Sequence, residues 1–424
     1  MSTEIPQSAV PQESTRRIAV IGGGLAGMSA AHRLHEIAAE RGLKLEVTLF
    51  EADSRLGGIV GTERIGNYLV DVGADSFITN KPGAISLCCR LGIEDRLVQT
   101  DARYRGALVL YDGRPVPVPE GFQLLSPTAI WPVLTSPLFS VWGKLRLLME
   151  WFVPRRQLAT TGANIQNGTG STNGNPPVAD ESLADFVRRR FGHEALDRLI
   201  QPLVGGIYTS DPEQLSLAAT MPRFLEMERD YGSLIRASLR DKSHRLTTAV
   251  GSGSPEVAGQ EDSSSGARYG LFAGLKGGME DLAEALRKTV SSTCTVRMNT
   301  AVTSVDVENS RSDKQSGPSY RLTLKDGSQE HFSAVIVAST AARTAQILQA
   351  MDPQLSTELS EIEFASSALV ISGHRLADIS DPLRAFGLVI PLAERRRILA
   401  VSFSSRKFPD RAPEGRVLLR TFVG

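Results

Sequence analysis

Arg17-Ile18-Ala19-Val20-Ile21-Gly22-Gly23-Gly24-Leu25-Ala26-Gly27-Met28 reads as an apolar strand that breaks on a run of glycines and restarts as a helix. Gly22 to Gly27 satisfy G-x-G-x-x-G, in which glycines let the backbone approach a pyrophosphate held at a helix N-terminus. The helix continues to about Arg41, and Leu45-Glu46-Val47-Thr48-Leu49-Phe50 supplies a second strand, so the stretch is a βαβ unit opening a parallel sheet. By itself the motif also suits a glycine turn in a sheet that binds nothing. Glu51, about 24 residues past Gly27, stands where a carboxylate bonds ribose hydroxyls. Gly22, Gly24, Leu25, Ala26, Gly27, Glu51 and Ala52 are the expected dinucleotide contacts.

Arg55-Leu56-Gly57-Gly58 follows at once, and a second glycine pair brings the chain close to the same pyrophosphate while Arg55 offers a charge-assisted donor. A simple nicotinamide dehydrogenase has no need of this second approach. Glu51-Ala52-Asp53-Ser54-Arg55-Leu56-Gly57-Gly58 resembles the fingerprint of the FAD-dependent amine-oxidase-like flavoproteins, which include monoamine oxidases, phytoene desaturases and protoporphyrinogen oxidases. The resemblance implies an α/β fold: a discontinuous Rossmann-like FAD-binding domain, a mixed-sheet substrate domain and an inserted helical region. It also implies that Asp71-Val72-Gly73-Ala74-Asp75-Ser76-Phe77 passes near the flavin, with Gly73, Ala74, Asp75 and Ser76 in contact, and that Val302 offers its backbone to the adenine. Val302 suits plain strand core equally, and an isolated arginine such as Arg55 would by default be a surface ion pair.

With 424 residues the chain exceeds one hydrophobic core, so two or three compact units are expected. Hydrophobic residues at 41%, charged residues at 22% and a mean hydropathy of -0.10 describe an ordinary globular chain. Lys plus Arg equals Asp plus Glu at 47 each, which leaves no general field to gather nucleic acid. Cys88, Cys89 and Cys294 match no disulfide, zinc or redox pattern, so a reducing, cytoplasmic setting is expected. The scattered histidines, His32, His35, His193, His244, His331 and His374, suggest no metal site. No apolar run approaches the ~18 residues of a spanning helix, and residues before Arg17 read as a polar tail.

The expected organisation is FAD domain over 17–80 and 268–345, substrate domain over 81–120 and 346–424, and a helical region over 121–235 with a loop at 157–180. A Ser/Gly-rich insertion spans Thr247 to Arg268. Helices are expected from Ser182, near Asp211-Pro212-Glu213, and from Glu280 to Thr289, and Ala334-Val335-Ile336-Val337-Ala338 reads as a central parallel strand.

Pro202-Leu203-Val204-Gly205-Gly206-Ile207-Tyr208-Thr209-Ser210-Asp211-Pro212, Phe386-Gly387-Leu388-Val389-Ile390-Pro391 and the run from Phe403 to Pro413 resemble the protoporphyrinogen oxidase family. That resemblance implies FAD-dependent oxidation of a porphyrinogen, coproporphyrinogen III or protoporphyrinogen IX, in haem biosynthesis, with O2 reoxidising the flavin. It implies substrate contacts at Lys81, Gly205, Leu388 and Phe403; Lys81 also fits a solvated surface lysine, and Leu388 and Phe403 also fit core. Arg103 and Arg105 are further partners for a substrate carboxylate. Homodimer formation is implied as well. The window holding Trp131, Trp142 and Trp151 resembles the family's membrane-associated helices; Trp142, Leu145, Leu147, Leu148, Trp151 and Phe152 beside Lys144, Arg146, Arg155 and Arg156 suit an interfacial helix, or else a lid packed on its own domain. Family members continue past the position of Gly424 with a further segment that holds the flavin from the other side. Another FAD oxidase or desaturase, or a non-catalytic FAD- or porphyrin-binding protein, fits the nucleotide motifs too.

Overall fold

The computed structural model describes residues 15–79, 81–119, 122–123, 126–127, 132, 135–156, 180–208, 210–240, 272–308 and 319–424. Trp131, the Thr247–Arg268 insertion and the 157–180 loop up to residue 179 lie outside them. The chain forms two compact units, Met1–Val98 with Ala273–Phe364, and Gln99–Phe272 with Ala365–Gly424.

The first unit is built on four parallel strands, in spatial order Thr295–Arg297, Leu45–Phe50, Arg16–Ile21 and Ala334–Val337. Side chains alternate across a strand, and in the two central strands both faces are covered, so that Ala19–Ile21 and Val47–Phe50 are buried throughout. Val20 and Leu49 meet Met28 and Ala31 of the helix Leu25–Arg41 and Leu282, Leu286 and Val290 of the helix Glu280–Thr293. Ala19, Ile21 and Phe50 face the other way, onto Leu322, Leu324 and Phe332 of an antiparallel three-stranded sheet and Ile347 of the helix Ala341–Leu348. The strand at 334–337 corrects an expectation: it lies at the margin of the described sheet, with one neighbour and half-buried residues, because apolar content alone does not tell an edge from a centre. The helices Pro82–Arg90 and Pro353–Ser360 also belong to this unit, where Leu87 and Cys88 pack with Met28 and Ser356 Oγ donates to Ala345 O at 2.8 Å.

The second unit carries a six-stranded sheet, in order Ala368–Arg375, Arg416–Val423, Ile398–Phe403, Gly387–Val389, Leu108–Tyr111 and Arg114–Pro117. Only Gly387–Val389 and Leu108–Tyr111 pair in parallel. The hairpin at Asp112-Gly113 turns through positive φ at both residues, 51° and 70°. Ser182 caps the helix Leu183–Arg190 by accepting from Asp185 N at 3.0 Å, and Leu183, Phe186, Val187, Leu196 and Leu199 form the core stripe that their spacing predicts. No helix starts at Asp211-Pro212-Glu213. Asp211 instead closes a turn onto Glu213 N and Gln214 N, both at 3.0 Å, while Ser216 bridges extended to Ser182 and caps the later helix Leu217–Thr220.

The helix Val141–Leu148 and the turn Met149–Phe152 are fastened by a buried ion network. Arg190, fully enclosed, donates to Glu150 at 3.2 Å and to the carbonyls of Val153 and Gly232, and pairs with Glu228. Glu150 also accepts from Ser233 Oγ at 2.6 Å and Leu234 N at 2.9 Å. Arg189 spans Glu228 at 2.8 Å and Glu181 at 2.6 Å.

A candidate dinucleotide site

The glycine loop of the first unit is dictated by close approach. A Cβ on Gly27 would lie 1.8 Å from the Gly22 carbonyl oxygen, and one on Gly22, at φ 108°, would lie 2.6 Å from Ala338 O. Gly24 differs: a Cβ there would meet nothing within 4 Å. It caps the helix Leu25–Arg41 with no side-chain acceptor, so the first-turn amides, Leu25 and Ala26 among them, have no acceptor within the helix. An opening before a helix N-terminus is the physical requirement for holding phosphate.

The second glycine pair lies on the first. Gly57 N donates to Gly23 O at 2.8 Å, Gly57 bridges Gly24, and a Cβ on Gly58 would lie 3.2 Å from Gly24 Cα. Glu51 accepts from Gly23 N at 2.6 Å and from Asp53 N at 2.8 Å, which fixes its carboxylate and leaves lone pairs for a ribose. Arg55 donates to the carbonyls of Gly58 and Val60, closing its own turn, and is paired with no carboxylate among the described residues. Its positive charge is thus not neutralised.

Gly73 is required where it stands, since a Cβ there would come 2.0 Å from Ile59 O. Its segment is tied to the glycine turn by Val72 N donating to Gly61 O at 3.0 Å, with Ala74 exposed and Asp75 accepting from Ser76 Oγ at 2.7 Å. Val302 is buried in the core, but the residues before it run beside Glu51-Ala52-Asp53: Thr300 N donates to Glu51 O at 2.7 Å and Asn299 N to Asp53 O at 3.0 Å. All the expected dinucleotide contacts therefore gather in one unit. An open helix N-terminus, an unneutralised guanidinium and an oriented carboxylate fit the diphosphate and ribose of FAD.

Sequence reading missed the clasp around this loop. Buried Asp71 accepts from Thr62 Oγ1 at 2.6 Å and Met279 N at 2.9 Å, and Thr62 Oγ1 accepts from Glu280 N at 3.0 Å, pinning the hairpin Thr62–Asp71 to the start of the helix Glu280–Thr293. The available signal was Gly277-Gly278 before that helix: Gly278 has φ 84°, and a Cβ there would strike Thr62 at 2.3 Å.

The expected substrate residues are divided. Leu388 and Phe403 meet in one cluster of the second unit with Leu383, Ala385 and Val417, and Gly205 lies on the helix Gln201–Tyr208, which packs on both their strands. Lys81 is exposed at the N-cap of Pro82–Arg90 in the first unit. Arg103 is held by Asp101 at 2.6 Å, which keeps the Asp101 carboxyl below its usual range. Arg105 is half-buried and pairs with no carboxylate among the described residues; its Nε is buried without a hydrogen-bond partner.

The 141–152 segment exposes Val141, Trp142 (80%), Leu145, Met149 and Phe152 (78%), whereas Leu147, expected on the same face, is buried in the core of the second unit. Three of the basic groups expected beside them bond to the chain itself, Arg146 part-buried and Arg155 and Arg156 still exposed. Arg146 donates to Arg190 O at 2.9 Å and Arg189 O at 2.6 Å, Arg155 to Arg229 O at 2.9 Å, and Arg156 to Glu181 at 3.0 Å. No helix of the described residues is long and apolar enough to cross a membrane, and no group of three or more His, Cys, Asp or Glu among them could hold a metal.

A family model for flavin containing amine oxidoreductases matches residues 25–424. The chain is 30% identical over 412 residues to coproporphyrinogen III oxidase of Bacillus subtilis (strain 168), across 97% of this chain and 78% of that protein. It is 28% identical to protoporphyrinogen oxidase 2, chloroplastic/mitochondrial, of Arabidopsis thaliana, across 97% and 75%. A crystal structure from Exiguobacterium sp. 255-15, provisionally named a protoporphyrinogen oxidase, superposes with a TM-score of 0.72 at 25% identity, covering 97% of this chain and 77% of that one. The two-turn glycine cradle and the match along nearly the whole chain lead to one conclusion: the chain belongs to the flavin containing amine oxidoreductase family, as an FAD-dependent oxidoreductase.

Proposed function

We propose that this protein oxidises a porphyrinogen, coproporphyrinogen III or protoporphyrinogen IX, to the corresponding porphyrin in haem biosynthesis, with O2 as final acceptor. The observation that carries the reading is the relationship across 97% of the chain to proteins bearing those two names. FAD, when bound, supplies the acceptor for a hydride from the macrocycle. The first unit is the FAD domain in this reading. There the amides after Gly24 and the Arg55 guanidinium hold the diphosphate, Glu51 the ribose, Gly73 to Ser76 the flavin end, and the backbone at Val302 the adenine.

The second unit is the substrate domain in this reading, its wall formed at Leu388, Phe403 and Gly205, with Arg105 as a cation for a carboxylate arm. Arg105 is a stronger candidate than Arg103, whose charge Asp101 already neutralises. Cytoplasmic placement and homodimer formation belong to the same proposal. So does contact of the exposed 141–152 face with a lipid surface, driven by apolar burial more than by charge, since Arg146, Arg155 and Arg156 already spend donors on Arg189 O, Arg229 O and Glu181.

The test is porphyrin fluorescence in air after adding each porphyrinogen to protein loaded with FAD, against a control without enzyme. Faster growth with one substrate, matched by oxygen uptake, is expected and chooses between the two. No growth above control with FAD bound contradicts the proposal.

A further inference from the structure

The second glycine turn is gripped by a residue far away in the chain. Arg287, on the helix Glu280–Thr293, donates to Leu56 O at 3.1 Å, and its Nη1 lies 3.6 Å from where a Cβ on Gly57 would stand. Glu280, two helical turns earlier on the same face, pairs with the same guanidinium. The start of that helix is itself held through Asp71 and Thr62. Arg55 Nη1 lies 3.0 Å from the same position, so the two guanidinium groups meet the turn side by side.

We propose that Arg287 is a positioning residue for FAD: oriented by Glu280, it holds the Leu56 carbonyl so that Gly57-Gly58 stays pressed on Gly23-Gly24, where the dinucleotide passes. The two arginines divide the work. Arg55, unpaired with any carboxylate among the described residues, faces the diphosphate as a charge, whereas Arg287, neutralised by Glu280, acts through the backbone. Its contribution to FAD affinity is therefore insensitive to salt, and that of Arg55 is screened.

The experiment titrates the apoprotein with FAD by flavin fluorescence quenching at low and high ionic strength, and measures apoprotein Tm. Wild type is the control; its failure to take up FAD would overturn the flavin reading itself, and this inference with it. Arg287→Ala is expected to weaken FAD binding about tenfold at both ionic strengths, the loss of one charge-assisted hydrogen bond. Arg287→Lys, which keeps charge and one donor, recovers part of that loss, and Glu280→Gln loses less than Arg287→Ala. Arg55→Ala shows a defect that shrinks as salt rises. FAD affinity within about twofold of wild type in Arg287→Ala overturns the proposal. So does a fall in apoprotein Tm with FAD affinity unchanged, the mark of a merely structural contact. Should Arg287→Ala not fold, wild-type affinity in both Arg287→Lys and Glu280→Gln overturns it equally.

Discussion

Two glycines three positions apart play opposite parts in the dinucleotide loop. A methyl group on Gly27 would meet the backbone oxygen of Gly22, which has no freedom to yield, whereas one on Gly24 would enter empty space. Gly24 also has φ −70°, which alanine adopts readily. Gly27→Ala is thus expected to lower apoprotein Tm and FAD affinity together. Gly24→Ala is expected to leave apoprotein Tm within a degree or two while weakening FAD binding about tenfold or more. Thermal melts and FAD titration of both variants check this; equal behaviour would mean that the space before Gly24 is not where FAD lies. These glycines, Glu51 and the second glycine pair were legible in sequence because their spacing is local and each serves one backbone geometry. Arg287 was not, since it meets Leu56 across a separation of 231 residues and leaves no local pattern.

At the scale of elements, the helices around Arg189 and Arg190 decide how the 141–152 segment is displayed. Burial pushes the Glu228 carboxyl up, but hydrogen bonds from Arg189, the Arg156 amide and Arg190 outweigh it and hold the group down at about 2. A depressed carboxylate stabilises the fold above its unfolded value near 4.5, and that stability is lost as pH falls toward 2. The contribution is on the order of 3 kcal/mol. Melts from pH 7 to pH 3 are expected to show an acid-sensitive loss of Tm, and Glu228→Gln a lower Tm at neutral pH with a flatter acid slope; an unchanged slope would remove Glu228 from the account. The exposed face of the same segment should sediment with neutral phosphatidylcholine vesicles nearly as well as with anionic ones, and Trp142→Glu with Phe152→Glu should abolish it. A strict requirement for anionic lipid would contradict apolar contact as the driving force. Composition made this window legible as amphipathic. It could not show that Arg146, Arg155 and Arg156 spend their donors on the carbonyls and carboxylates of later helices, because those ends come together only in the fold.

For the whole molecule, the order of strand, glycine turn, helix and strand already implied a parallel sheet, and the late run at 334–337 does return to pair with the first strand. The seams are less legible. The helix Pro82–Arg90 joins the first unit through Leu87 and Cys88 packing with Met28, far away in sequence, and Pro353–Ser360 packs on the preceding helix Ala341–Leu348; composition records neither. The central claim is that the FAD held in this cradle takes electrons from a porphyrinogen. Its most direct test mixes FAD-loaded protein with each porphyrinogen anaerobically and follows the visible absorbance of the flavin. Bleaching with at least one of them, matched by porphyrin appearance and reversed on admitting air, is the expected result; flavin that stays oxidised with both would contradict the account.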